Sequence, residues 1–319
     1  MSKTRYNLDL VFANVFFGAN FSFYVSLTRN YLDFQQIFML QVLSAAVFFI
    51  PFALFSKQSF RITWRDAGNI LIVTLLIVYG WMYMLLWGSS YTTPIDASII
   101  ATLGPILVLV ISVFFLIDRF TPMKIVGMVI GLAGALVVIL SNSGTTAATA
   151  KLGGDAIVFL GIVSSSFSMV WLKDLIMRYK PITLLRWMYP LAALMLLPFG
   201  LSSVIHTDFA AIPPHIWWVI AYAVLLPSFG PNYLLIFSLH YVKPTISSVY
   251  FYLQPVIATG LSVALGMDKL SWDRGLASIA VFVGVLLVVN AYKNHPSAPR
   301  HGGEGTRRQN RFRIIPGYY

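Results

Sequence analysis

Long apolar runs, broken by short stretches marked with proline, glycine or charge, repeat along almost the whole chain. A helix needs about 20 apolar residues to cross the hydrocarbon core of a bilayer. Ten runs meet that length: Leu8–Leu27, Gln36–Phe55, Ala67–Ser89, Pro94–Ile117, Met123–Leu140, Asp155–Ile176, Ile182–Val204, Ile216–Tyr241, Thr245–Gly266 and Gly275–Tyr292. The longest internal connection, Ser141–Gly154, is rich in Ser, Thr, Ala and Gly and reads as a linker. Beyond Asn294 the chain is polar and basic, with Arg307, Arg308, Arg311 and Arg313, and is expected to be a disordered cytoplasmic tail. The pattern predicts an all-α integral membrane protein. It divides into a five-helix unit over residues 1–140, a linker over 141–154, a second five-helix unit over 155–292 and a tail over 293–319.

Composition sharpens this. Hydrophobic residues make up 58% of the 319 and charged residues only 10%, against about 25% charged in a soluble domain. The net charge of +11 suggests a nucleic-acid partner until its distribution is read: the basic residues sit in short loops and the tail, as membrane orientation requires. With the N-terminus in the cytoplasm, only Arg29, Lys151, Lys269 and Arg274 fall outside, and Arg186 falls within a span. Both termini are therefore predicted to be cytoplasmic. The first run follows Lys3 and Arg5 as a signal peptide would, but no small-x-small cleavage site precedes Thr28-Arg29, so it reads as an uncleaved helix. Trp64, Trp217, Trp218 and Trp272 sit near span ends and read as interfacial anchors. There are no cysteines, and the 5 histidines do not cluster at ligand spacing; no metal, cofactor or catalytic centre is expected.

The halves share one register. Gly80 falls on Gly230, Tyr83 on Tyr233, Tyr91 on Tyr241, Pro94 on Pro244, Leu103 on Leu253, Pro105 on Pro255, Asp118 on Asp268 and Gly134 on Gly284. Matched prolines, glycines and aspartates carry weight that apolar matches do not. Five spans per half is an odd number, so the second half enters the membrane from the opposite side. Such inverted repeats are typical of secondary transporters.

The stretch from Tyr91-Thr-Thr-Pro94 through Leu103-Gly-Pro105 to Asp118, its echo from Tyr241 through Leu253-Gln-Pro255 to Asp268, and the opening Gly18-Ala-Asn20-Phe21 resemble the EamA branch of the drug/metabolite transporter superfamily. The resemblance runs nearly to Tyr292. It implies a secondary transporter of the bacterial inner membrane that exports small metabolites such as amino acids. Its partners would be a small-molecule substrate and the lipid bilayer, with no nucleic acid, as a monomer or homodimer. The chain departs from the family pattern by having Asp118 and Asp268 where Glu is usual, and Gln41 near a common Arg whose counterpart in the second half is Arg186. The multidrug branch relies on a membrane-embedded Glu in its first helix, whereas Asp9 lies at the edge here. A multidrug effluxer, a receptor or assembly subunit without transport, and a lipid-modifying enzyme are the competing classes.

Helix breakers point to where a transport site would lie. Pro105 and Pro255 fall mid-way along spans four and nine, and Gly80 and Gly230 along spans three and eight; these are the candidate hinges. Polar groups inside spans include Asn14, Asn20, Gln41, Tyr79, Tyr83, Ser164, Tyr189, Asn232, Tyr252 and Gln254. Each serves either a substrate or a helix–helix bond. Asn20, Tyr83, Asn232, Tyr252 and Gln254 neighbour the breakers and are the candidate substrate contacts. Arg186 joins them as a partner for a carboxylate, unless it snorkels to the headgroups. Asp96 is either a proton-coupling residue or a cap after Pro94. Gly127, Gly131 and Gly134 form a small-residue packing face.

Overall fold

The computed structural model of the chain describes residues 3–55, 62–115, 121–140, 146–171, 175, 178–239, 250–251, 253–267 and 272–294. Among them all regular structure is helical. Helix α1 covers Lys3–Asn30 and α2 Phe34–Phe55. The third span is unbroken but changes winding: α3 (Trp64–Val73) passes into a π-helical segment (Thr74–Tyr83) and then α4 (Met84–Ser89). Next come α5 (Pro94–Ala101), α6 (Gly104–Phe114), α7 (Pro122–Leu140) and α8 (Thr146–Trp171). Helix α9 (Pro181–Ile205) is followed by two short 3₁₀ turns, α10 (Trp217–Leu239), α11 (Leu253–Ala264) and α12 (Trp272–Asn294).

Local chemistry sets many of these ends. Thr63 and Thr93 cap α3 and α5, each accepting from the backbone N–H three residues on. Pro94 and Pro181 open their helices, where a missing N–H costs nothing. Gly266 closes α11 at φ 66°; its N–H reaches Val263 and that of Met267 reaches Ser262, the paired bonds of a left-handed C-terminal turn.

Two expectations need correction. Thr146–Gly154, assigned to the linker, are the first turns of α8. Span four is broken rather than kinked: the helix stops at Ala101, and Pro105 lies in the first turn of α6 after a turn at Thr102–Leu103. Its mate Pro255 likewise lies in the first turn of α11. A proline there interrupts no helical hydrogen bond.

Five helical stretches are long and apolar enough to cross a membrane: Leu8–Asn30, Asp66–Ser89, Pro94–Phe114, Ala150–Trp171 and Pro214–Leu235. Shorter apolar helices run over Phe34–Phe49, Pro122–Gly134, Ile182–Pro198 and Leu253–Ala264. Large apolar side chains such as Val47, Val129, Leu136, Leu160, Leu194 and Leu276 face outward. Such a surface is unsuited to water and suited to lipid. Trp64, Trp218 and Trp272 stand exposed at the first turns of α3, α10 and α12.

Packing repeats between the halves. Helix α1 packs on α10 and α11, and its mate α8 packs on the third span and α6. Mates α7 and α12 pack on each other, as do α2 and α9. The direction of this last pair is decisive. Gln36 Nε2 donates to Ser203 O at 3.2 Å, Met39 lies against Gly200, and Phe49 stacks on Tyr189 with centroids 5.5 Å apart. Rising numbers on α2 meet falling numbers on α9, so these two helices run antiparallel. At the α7–α12 crossing a Cβ on Gly284 would strike the backbone of Gly127 and Gly131; the glycine face packs within the chain.

Candidate functional site

Proline leaves backbone carbonyls without their helical donors, and α10 has two such sites. Pro227 cannot donate to Ala223 O, nor Pro231 to Pro227 O, four residues back in each case. Side-chain amides take over both. Gln41, reaching across from α2, donates through Nε2 to Ala223 O at 2.5 Å. Asn232 donates through Nδ2 to Pro227 O at 2.6 Å and faces Tyr189 Oη at 3.5 Å. In a span this repair is obligatory, since lipid offers no donor.

Other intramembrane polar groups do the same work. Ser164 donates to Leu76 O within the π-helical segment at 2.9 Å, and Tyr79 to Ala192 O at 2.8 Å. Gly80 permits that approach, because a Cβ there would occupy the place of the Ser164 hydroxyl. Tyr222 donates to Phe16 O at 3.1 Å and Ser22 to Ala258 O at 3.3 Å. Gln254 donates to Asn14 Oδ1 at 2.7 Å where α1 and α11 touch at Gly18.

The candidate contacts thus separate into distinct places. Asn20 is buried on α1 one turn before Tyr24, whose hydroxyl accepts from Gln41 Nε2 at 2.6 Å. Tyr83 joins an aromatic group with Phe34, Phe38 and Trp87, at centroid separations of 5.5, 5.1 and 6.3 Å. Asn232 and Gln254 are engaged as described. Arg186 is 5% exposed on α9, so its guanidinium does not snorkel into water. Tyr252 lies outside the described residues, as do Asp118 and Asp268. Around Gly230 an added Cβ would meet nothing within 4 Å.

A cluster of ions at one end of the third span was not foreseen. Asp96 and Asp155 are both 0% exposed and share Lys151 between them. Lys151 Nζ donates to Asp155 Oδ2 at 2.7 Å and lies 3.1 Å from Asp96 Oδ2, off the hydrogen-bonding direction. Thr92 donates to Asp155 Oδ1, and Arg29 Nη2 donates to Thr92 O at 2.8 Å. Spans one, three, four and six are thereby tied together. Asp96 is not the cap of α5, a part taken by Thr93. The signal for the cluster was the i, i+4 spacing of Lys151 and Asp155, which is visible only once Thr146–Gly154 are read as helix.

The opposite end of the third span carries a second clasp. Asp66 takes Arg178 Nη1 on both oxygens, at 3.1 and 3.0 Å, and accepts from Tyr179 Oη and Thr63 Oγ1 at 2.7 Å each. Among the described residues no three His, Cys, Asp or Glu side chains gather as metal ligands.

Known proteins agree with this architecture. The chain is 23% identical over 223 residues to the uncharacterized transporter YyaM of Bacillus subtilis (strain 168), covering 70% of this chain and 73% of that one. It is 30% identical over 144 residues to an uncharacterized transporter of Archaeoglobus fulgidus, covering 45% and 50%. A solved crystal structure, 17% identical, superposes with a TM-score of 0.64 over 93% of this chain and 100% of that one, and so shares its fold. The model of the EamA-like transporter family matches twice, over residues 6–140 and 152–290, and the chain belongs to that family.

Proposed function

We propose that the chain is a ten-span secondary transporter of the bacterial inner membrane, both termini cytoplasmic, exporting small metabolites such as amino acids by alternating access. The antiparallel course of the mates α2 and α9 carries this reading. Two oppositely directed repeats of one architecture can exchange shapes at similar energy, which is what opening alternately to either side demands. The clasps at the two ends of the third span support it: Asp96–Lys151–Asp155 would close one face and Asp66–Arg178 the other. Breaking them in turn would open the path.

Within that cycle, Gly80, Pro105, Gly230 and Pro255 serve as hinges. Asn20, Tyr83 and Arg186 are the substrate contacts of this reading, with Arg186 meeting a substrate carboxylate, while Asn232 and Gln254 hold their helices together. Asp96 is the coupling residue of this reading: it is fully buried and lies 3.1 Å from Lys151 Nζ. The experiment is uptake of labelled amino acids, nucleosides and amphipathic cations into proteoliposomes, with and without a pH gradient. Saturable uptake, lost in Arg186→Gln and uncoupled from the gradient in Asp96→Asn, is the expected result. Folded protein that moves nothing across the whole panel favours the receptor or assembly-subunit reading instead.

A further inference from the structure

Most buried polar atoms among the described residues of these spans have a protein partner, but two amide oxygens do not. Asn20 Oδ1 and Gln41 Oε1 lack any hydrogen bond, although Asn20 is 4% exposed and Gln41 0%. A buried acceptor left unsatisfied costs roughly 1–3 kcal/mol. Native proteins tolerate few of these, and each calls for an explanation.

Both belong to one construction. Gln41 Nε2 donates to Ala223 O and to Tyr24 Oη. Ala223 O accepts only, which fixes the orientation of the amide and turns Oε1 away. Asn20 lies one turn back on α1 from that hydroxyl. Two amide oxygens, one on α1 a turn from Tyr24 and one on α2 beside its hydroxyl, are thus left without donors.

We infer that these two oxygens form a binding site for an N–H donor group on the transported solute. Acceptors without donors select a ligand that brings donors. The charge of the surroundings narrows the class. Among the described residues α2, α10 and α11 carry no Asp or Glu, and α1 has only Asp9, three turns from Asn20. A bare cation would be buried here without a counter-charge. The ligand is therefore a neutral N–H donor or a zwitterion whose ammonium is balanced by its own carboxylate. This names the substrate class of the proposed transporter and rests on that reading for its purpose, though not for its test.

The test uses the purified full-length chain in detergent, followed by tryptophan fluorescence on heating. The probes are L-amino acids and small primary amides. Each is paired with the carboxylic acid lacking that nitrogen, and each amino acid also with its decarboxylated amine. At least one nitrogen-bearing probe raises Tm, while its paired acid does not and the amine, its ammonium buried without its own carboxylate, binds at least about tenfold more weakly. Asn20→Leu and Gln41→Met reduce affinity by at least about tenfold and leave the elution volume unchanged. Should Gln41→Met fail to fold, having lost two donated bonds, Asn20→Leu decides alone. The inference is overturned if no probe stabilises, if the paired acids stabilise equally, or if Asn20→Leu keeps full affinity. Selective stabilisation without uptake in vesicles would sink the transport reading and leave the site standing. Uptake undiminished in Asn20→Leu would do the reverse.

Discussion

Replacing Lys151 by Met removes a cation that pairs with both Asp96 and Asp155. Both carboxylates are 0% exposed and the lysine side chain is 10% exposed, so water cannot take over the lost contact. Removing one partner of a buried ion pair costs about 3–5 kcal/mol, because the remaining charge stays buried without its counter-ion. Here two carboxylates lose a neighbour 2.7 and 3.1 Å away, and the upper end of that range is expected. Arg178→Met is the internal control. That arginine is 57% exposed, and Asp66 keeps its bonds from Tyr179 and Thr63, so the loss should stay within about 1 kcal/mol. Denaturant unfolding in mixed micelles, read by tryptophan fluorescence, compares the two. Asp155→Asn in the Lys151→Met background should recover part of the loss, giving a coupling energy of about 1–3 kcal/mol. A Lys151→Met cost no greater than that of Arg178→Met, or additivity of the pair, would refute the claim that burial gives this cluster its strength.

Four further outcomes follow from the same geometry. Pro227→Ala returns an N–H to the Ala223 carbonyl, so Gln41→Met should cost about 1 kcal/mol less in that background than in the native chain, measured by the same unfolding cycle. Gly284→Ala drives a methyl into the backbone of Gly127 and Gly131 and should destabilise by about 1–3 kcal/mol, whereas Gly260→Ala, with nothing within 4 Å, should be neutral or stabilising. Gly80→Ala collides with the Ser164 hydroxyl; Ser164→Ala should recover part of the loss in Tm, since it removes the clashing atom while leaving Leu76 O without its side-chain donor. Burial and the bond to Asp66 hold the Tyr179 phenol above its usual range, so its contribution is present below about pH 10 and fades as pH rises through the folded-state value. Tyr179→Phe should flatten that alkaline limb of the stability profile.

How much of this was legible depends on what kind of signal each feature leaves. The apolar runs announced the helices, and several ends agree closely: Met123–Leu140 against Pro122–Leu140, Ile182–Val204 against Pro181–Ile205, and Pro94 at the start of α5. Proline and threonine mark those ends by local chemistry, which a sequence displays directly. The π-helical winding at Thr74–Tyr83 was hidden, because a segment apolar on nearly every side shows no face whose period could shift. The start of α8 was hidden for the opposite reason: Thr146–Gly154 is small and polar enough to pass for a linker, and its helical state is stabilised by packing of Gly154 against Gly88 and by the Lys151–Asp155 pair.

The candidate site shows the harder limit. Asn20, Asn232, Gln254 and Gln41 look alike in sequence, each an amide in an apolar run. Their difference lies in what the backbone around them lacks. Asn232 sits one residue after Pro231 and meets the carbonyl that proline left bare, so its engagement could be anticipated from spacing within α10. Gln41 repairs the equivalent gap left by Pro227 from another helix, and only the fold brings them together. Gln254 is held by Asn14 at a contact that Gly18 makes possible. Subtracting the groups that serve the backbone or another helix leaves the oxygens of Asn20 and Gln41. In a membrane protein, where every prolyl break demands a donor, the amides best suited to bind a solute are those whose acceptors remain after the chain's own carbonyls have been satisfied.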